Sequence, residues 1–447
     1  MAGGLKSRPQ FDEPLTSVEI CAGAGGQASG LHNAGFDHLA LVEWDAHAVE
    51  TLKANVKSWP GWNKAKIDAL QPSDVKDFIG SSEFEEIMES GRRVDLLAGG
   101  VPCPPFSLAG KRLGADDERD LFPDMLKIAD RLRPRAIMIE NVRGILEPPH
   151  VFIDYRRQIV NELHRLGYRV PLIDSEWTVE KQNMEMRRVW RRVDAKDFGV
   201  PQLRPRAILV AIHKDVPQGS DFAWPLKGRG GVASVFKKLR PSMNERFKDY
   251  LLLNERGETA VAGERSGNDV LEKWCRDASL AEEGSSEGVA PTLVGGSRKH
   301  GGADLGPSRA KRAWALMGVD ANGVANDEEH CDPKRDLFRS AGPMLTVEQA
   351  AIIQGFSPRW KFQGKKTARY RQVGNAFPPP VAEAVGRAIA AVLRPQNSSE
   401  LLRDYVMDEG SAAEEQEFSQ LAIPVESSFT PKPSRQHRSG DLVSTRR

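Results

Sequence analysis

The chain has 447 residues, 40% of them hydrophobic and 28% charged, the balance of an ordinary globular protein with room for two or three structural units. With 63 lysines and arginines against 62 acidic residues the formal charge is +1, which excludes both a polycationic coat protein and an acidic disordered chain, so any surface for a polyanion must be local. No apolar run reaches the roughly 18 residues that span a bilayer, the N-terminus lacks the apolar stretch of a secretory signal, and the 4 scattered cysteines form neither a disulfide framework nor a CxxC zinc pair. These features are those expected of a soluble, cytoplasmic protein with no membrane contact and no metal.

After a flexible arm at 1–16, residues 17–213 alternate short apolar runs with longer amphipathic stretches. This pattern predicts an α/β domain, a mostly parallel sheet with helices on both faces. Strands are predicted at 18–21, 39–43, 94–98, 136–140 and 207–212, with helices at 27–35, 45–56, 121–132 and 152–166. The charged stretch 176–192 breaks the rhythm and reads as a surface insertion. From 214 to 342 glycine, proline, serine and basic residues mark a smaller, irregular unit, whose core is expected to include Trp314, Leu316 and Met317. Helical periodicity returns in 347–354 and 381–393, so 343–394 reads as a return segment that completes the first unit. Residues 395–447 are acidic, then rich in proline, serine and arginine; they read as a disordered tail, too poor in apolar surface to offset their ordering entropy.

The first strand runs into Cys21-Ala22-Gly23-Ala24-Gly25-Gly26 and then a helix. Glycines at that junction let a ligand approach the backbone amides at the helix start. About 20 residues on, Glu43 ends the second strand, where a carboxylate can bridge ribose hydroxyls, and Trp44 follows it. The spacing G-x-G-x-x-G is absent, so a nucleoside with a charged tail suits the loop better than a dinucleotide; an ordinary strand-helix turn is the competing reading. Asp68 is a candidate for an adenine amino group, or else a solvated loop acid.

The strand at 94–98 leads into Gly99-Gly100-Val101-Pro102-Cys103-Pro104-Pro105-Phe106-Ser107. The prolines fix the direction of Cys103 at the carboxyl edge of the sheet, where open α/β sheets hold their ligands. Lys111, Arg112 and Arg119 supply the electropositive setting that a thiolate nucleophile requires. Farther on, Arg204 and Arg206 alternate about Pro205 and face one side. Their planar forks suit a base carbonyl, a phosphate or a carboxylate.

Six stretches, in this order, resemble those of the DNA (cytosine-5) methyltransferases: the glycine loop, Pro102-Cys103, Glu140-Asn141-Val142, Gln202-Leu203-Arg204-Pro205-Arg206, Gln354-Gly355-Phe356 and Gly374-Asn375-Ala376. The resemblance covers 17–394 and implies a Rossmann-like catalytic domain at 17–213 and a target-recognition domain at 214–342. It implies S-adenosyl-L-methionine as cofactor and S-adenosyl-L-homocysteine as product, with Cys21, Ala22, Gly23, Gly25, Gly26, Glu43, Trp44, Asp68, Pro102, Asn375 and Ala376 lining the cofactor site. By the same resemblance Cys103 attacks C6 of a cytosine, Glu140 protonates or hydrogen-bonds ring N3, Arg206 touches the base O2 and supports Glu140, Arg204 lies near Cys103 or a phosphate, and Asn141 serves the neighbouring backbone. Ser107, Arg298, Lys299, Arg309, Lys311 and Arg312 are candidates for the DNA side, with a solvated charged face as the alternative. Two positions depart from the family pattern: Cys21 stands where phenylalanine is usual, and Pro104 where glutamine is usual.

The expected protein is a monomer that methylates a specific cytosine of double-stranded DNA by base flipping and a covalent Cys103 intermediate. Its single-unit layout resembles bacterial modification enzymes, which implies a restriction-modification system and a matching endonuclease as partner. An RNA cytosine methyltransferase is the first alternative, disfavoured by the long middle unit. A catalytically silent DNA-binding module is the second, disfavoured by the intact Cys103, Glu140, Arg204 and Arg206.

Overall fold

The computed structural model describes residues 8–102, 120–217, 222–284, 286–295 and 303–408; Cys103, Ser107, Arg298 and Lys299 lie outside them. Strands β1 (Leu15–Ile20), β2 (Phe36–Val42), β3 (Leu96–Gly99), β4 (Ala136–Val142), β5 (Trp190–Asp194) and β6 (Pro205–Ile212) form one sheet in the order β2-β1-β3-β4-β6-β5. The pairings among β2, β1, β3 and β4 are parallel, whereas β6 runs antiparallel to β4, and β5 to β6. A second, two-stranded ribbon joins β7 (Pro225–Gly228) to β8 (Tyr405–Met407).

The helices of the first half are α1 (Gly26–Asn33), α2 (Ala46–Asn55), α3 (Lys64–Ala69), α4 (Ser82–Glu89), α5 (Phe122–Leu132), α6 (Ile153–Arg165) and α7 (Val179–Met186). Those of the second half are α8 (Val235–Phe247), α9 (Gly267–Glu283), α10 (Ser308–Leu316), α11 (Pro333–Asp336), α12 (Val347–Gln354), α13 (Lys366–Asn375), α14 (Pro379–Leu393) and α15 (Ser398–Leu402). The inner strands β1 and β3, and β4 up to Ile139, bury both faces, which is why they read as unbroken apolar runs. Successive side chains go to opposite layers: Leu97 and Ile137 pack with α4, α5 and α6, while Leu96, Ala98 and Met138 pack with α1 and α14. Pro379 and Pro380 start α14 where a missing N–H costs nothing.

Three expectations need correction. The stretch 176–192 is not a surface insertion throughout: α7 lies within it, and Trp190, 1% exposed, begins the edge strand β5. The charge that disguised this strand belongs to Arg191 and Arg192, which pair with Asp408 and Glu147. The return segment divides, because α12 and α13 share an apolar core with α8, α9 and α10, and α14 joins the sheet. Within α10, Trp314 and the following Met317 point inward, while Leu316 between them is 75% exposed.

Order also extends past 395. Here α15 buries Leu401 and β8 buries Tyr405 against the layer of α14, and Asp408 pairs with Arg191. Among the described residues no helix is long and apolar enough to cross a membrane. Of two shortened chains, one ending at residue 408 and one at 394, the shorter should melt several degrees lower, since Leu401 and Tyr405 each contribute roughly 2–4 kcal/mol by burial. Equal melting temperatures would show that the docked segment stabilises nothing.

Candidate active site

The parallel strands deliver their carboxyl ends to one edge of the sheet. Cys21 follows β1, Glu43 follows β2, residues 100–102 follow β3, and Glu140 stands near the end of β4. Because β6 is antiparallel, its beginning arrives at that edge, with Arg206 opposite Val142 and Ile208 opposite Glu140. Glu140 and Arg206 are therefore diagonal neighbours on one face, and Nε of Arg206 donates to Oε1 of Glu140 at 2.8 Å.

Burial raises the Glu140 carboxyl above its ordinary range, and the nearby Arg206 and Arg204 only partly reverse this. Oε2 of Glu140 lies 3.3 Å from where a Cβ at Gly100 would stand, so a side chain there would crowd the carboxylate. Asn141, buried, donates from Nδ2 to the carbonyl of Val101 at 2.8 Å and accepts from the Val142 N–H through Oδ1. That bond holds Val101, two positions before Cys103 in the chain, and Pro102 after it is exposed.

At the glycine loop, Cys21 directly after β1 has φ 51, a left-handed conformation uncommon for a residue with a side chain, and Gly23 and Gly25 continue the turn with φ 54 and 82. The turn leads into α1, and Ala22 is fixed by its N–H to the carbonyl of Val42. The two oxygens of Glu43 accept from the N–H groups of Gly23 at 2.7 Å and Asp45 at 2.8 Å. Burial raises its carboxyl, opposed by these backbone donors. Nothing lies within 4 Å of the position a Cβ would take at Gly23, and Trp44, next to Glu43 in the chain, is 79% exposed. Open space over the loop, a fixed carboxylate and a free indole fit a nucleoside.

The opposite wall comes from far along the chain. Trp360 donates from Nε1 to the carbonyl of Ala24 at 3.0 Å, and its ring stands 2.6 Å from the Cβ position of Gly25. The Ala376 Cβ stands 3.2 Å from that of Gly26, so Ala376 touches the loop as expected. Asn375 does not meet the loop in the same way: its Oδ1 is 2.2 Å from the Cβ position of Gly295, in the middle unit. Asp68 is also displaced from expectation, because its segment forms the exposed helix α3 instead of following a strand. The Ser73 N–H bonds the carbonyl of Glu43, and this brings the next residue, Asp74, into the field of Cys21, whose thiol is pushed up by burial and then by Glu43 and Asp74.

Arg204 departs most from its expected place. It is 1% exposed and donates to the carbonyls of Leu293 at 2.7 Å, Gly374 at 2.6 Å and Ala376 at 2.9 Å. It acts on backbone, and only its field reaches Glu140. Of the described DNA-side candidates, Arg309 and Arg312 are exposed on α10, while Lys311 pairs with Asp304 at 2.9 Å. Trp360 and Asp74 were invisible to motif reading, since neither belongs to a periodic run or a glycine cluster.

The family model described as C-5 cytosine-specific DNA methylase matches residues 15–391. The Type II methyltransferase M.NaeI of Lentzea aerocolonigenes is 44% identical over 398 residues, which cover 89% of this chain and 79% of the relative. The Type II methyltransferase M.NgoMIV of Neisseria gonorrhoeae is 39% identical, covering 86% of this chain and 99% of the relative. Among solved structures, a prophage-encoded E. coli protein assigned as a DNA modification methyltransferase superposes with a TM-score of 0.51 at 19% identity over 85% of this chain and 99% of its own, a likeness of fold.

Replacing Glu43 by alanine removes the carboxylate from the cradle, and calorimetric titration with S-adenosylhomocysteine should show affinity lowered by about 10- to 100-fold, or roughly 1.4–2.8 kcal/mol. Unchanged affinity in a folded variant would remove Glu43 from the site.

Proposed function

The chain belongs to the C-5 cytosine-specific DNA methylase family, and from that premise we propose that it methylates carbon 5 of a specific cytosine in double-stranded DNA as the modification enzyme of a restriction-modification system. The observation that carries the reading is the part-buried Glu140–Arg206 pair at the sheet edge, with Glu140 against Gly100, three residues before Cys103.

Cytosine C5 is a poor nucleophile while its ring is intact. Addition of the Cys103 thiolate to C6 forms an S–C6 bond and drives an electron pair toward N3. Glu140, raised in pKa by burial, donates a proton at N3. The Arg206 fork holds the carboxyl of Glu140 and meets the charge that develops at O2. C5 then has enamine character and reacts as a carbon nucleophile. S-adenosylmethionine, when bound, supplies an electrophilic methyl group on a sulfonium centre. Glu43, Gly23, Trp44 and Ala376 would hold its nucleoside. Afterwards C5 loses its proton to a base, the S–C6 bond breaks with its pair returning to sulfur, and the N3 proton returns to Glu140.

Both reacting carbons are inside the base stack of a duplex. The cytosine must therefore turn out of the helix, at a cost of a few kcal/mol. The catalytic domain offers one wall to the DNA, and the middle unit supplies the other, with Arg309 and Arg312 exposed toward solvent. Exposed basic side chains of this kind engage phosphate or guanine.

Bisulfite sequencing of a mixed-sequence plasmid treated with the protein and S-adenosylmethionine should reveal protected cytosines within one short motif, absent with Cys103→Ser. No protection by the folded wild-type protein would overturn the reading. Glu140→Gln, which keeps the shape without the proton, should lower kcat by roughly 10²–10⁴. In the wild type the rate should fall as rising pH ionises Glu140, at a pH above the ordinary carboxylate range of about 4.3, because burial favours the protonated form. A profile without that descending limb would exclude Glu140 as the acid.

A further inference from the structure

Three distant parts of the chain meet in one buried polar cluster behind the catalytic pair. The first is the entrance to β6, with Gln202 at 0% and Arg204 at 1% exposure. The second is the segment 290–295 of the middle unit, and the third runs from the end of α12 to the start of α14. Arg204 bonds Leu293, Gly374 and Ala376 through their carbonyls. Gln202 accepts from the Leu293 N–H at 2.8 Å and donates to Gln354 Oε1 at 2.7 Å. Gln354 in turn donates to the carbonyl of Ala376.

Backbone seals the same junction. Ala290 and Leu203 exchange bonds with the β6 entrance and the segment, through Ala290 N–H to Pro201 and Leu203 N–H to Ala290, and the Thr292 hydroxyl donates to the carbonyl of Leu203. Gly374 leaves only 2.5 Å between its Cβ position and the backbone nitrogen of Gly295. Two residues after Arg204 stands Arg206, bonded to Glu140. At the rim of the junction Leu203 and Val294 are 43% and 39% exposed.

We infer that Arg204, with Gln202, is a positioning residue of this reaction: it fixes segment 290–295 relative to the Glu140–Arg206 pair, so that DNA gripped by the middle unit is presented in register to the chemistry. The inference rests on the proposed function. It assigns Arg204 to substrate placement instead of the reacting atoms. The guanidinium is required because its two terminal nitrogens serve three carbonyls at once; a lysine ammonium is a single point charge that cannot span them.

The test is steady-state kinetics of Arg204→Lys with a DNA duplex that carries the site found by bisulfite sequencing. KM for DNA should rise about tenfold or more while kcat falls less, and methylation should spread to near-cognate sites. A fall in kcat with KM for DNA and site choice unchanged would overturn the inference and place Arg204 in the chemistry. If the lysine variant does not fold, Thr292→Val removes a single tether at the partly exposed rim. It should raise KM for DNA in the same direction, with Thr292→Ser restoring it, and no change with valine overturns the inference. Absence of DNA methylation by the wild-type protein would instead overturn the proposed function.

Discussion

Because β6 runs against β4, the end of one strand and the beginning of another meet at a single edge of the sheet, and that meeting holds Arg206 2.8 Å from Glu140. Were β6 parallel, Arg206 would sit at the opposite edge and the carboxyl would face the cleft alone. The pair is partly withdrawn from water, a condition that is costly for two charges unless geometry and further hydrogen bonds compensate. Here the cost is useful. Desolvation raises the pKa of Glu140 and so favours its protonated carboxyl, and the arginine limits how far it rises. The same sheet edge receives residues 100–102 from β3 and the glycine loop from β1, so the Glu140 carboxyl and the starts of both loops share one frame of rigid strands.

The second organising element is the buried polar cluster around Arg204. A middle unit attached only by its two chain connections would be free to rock, and a groove between such units has no defined width. The shared core of α8, α9, α10, α12 and α13 limits that freedom through apolar packing. Hydrogen bonds of Gln202, Arg204 and Gln354 add direction to it, since each bond is made to a particular carbonyl or amide. Buried networks of this kind are stable only when nearly all members find partners. The Nε of Arg204 is an exception, buried without a partner among the described residues.

Much of the catalytic half was legible in the sequence because its logic is local. Strands at 136–140 and 207–212 announced themselves as apolar runs, and the glycine loop and Glu43 followed their strands at the expected spacing. Legibility failed where a residue's role is set by a distant partner. Trp360 carries no local mark of its bond to Ala24, which is 336 positions away. Arg204 resembles its neighbour Arg206 in sequence and differs only in what the fold places around it. Strand β5 was hidden because an edge strand tolerates charge on its open side, and Asp68 was singled out because a strand was expected before it, where a short helix forms. The docked segment 398–408 was missed since its few apolar residues stand beside a strongly polar stretch.

The dependence of the glycine loop on Trp360 also bears on how the protein is made. During synthesis the loop leaves the ribosome early, whereas the wall that covers it emerges only after most of the chain has been translated. Contacts of such long sequence separation form late and slow folding, because the intervening chain must first be brought to order. The complete cradle is therefore a property of the nearly finished polypeptide. A prematurely terminated chain that keeps the sheet through β4 would have the acid and the glycine loop, without Arg206 or the covering indole. Truncated translation products of that kind thus lack both the Arg206 partner of Glu140 and the cover of the glycine loop.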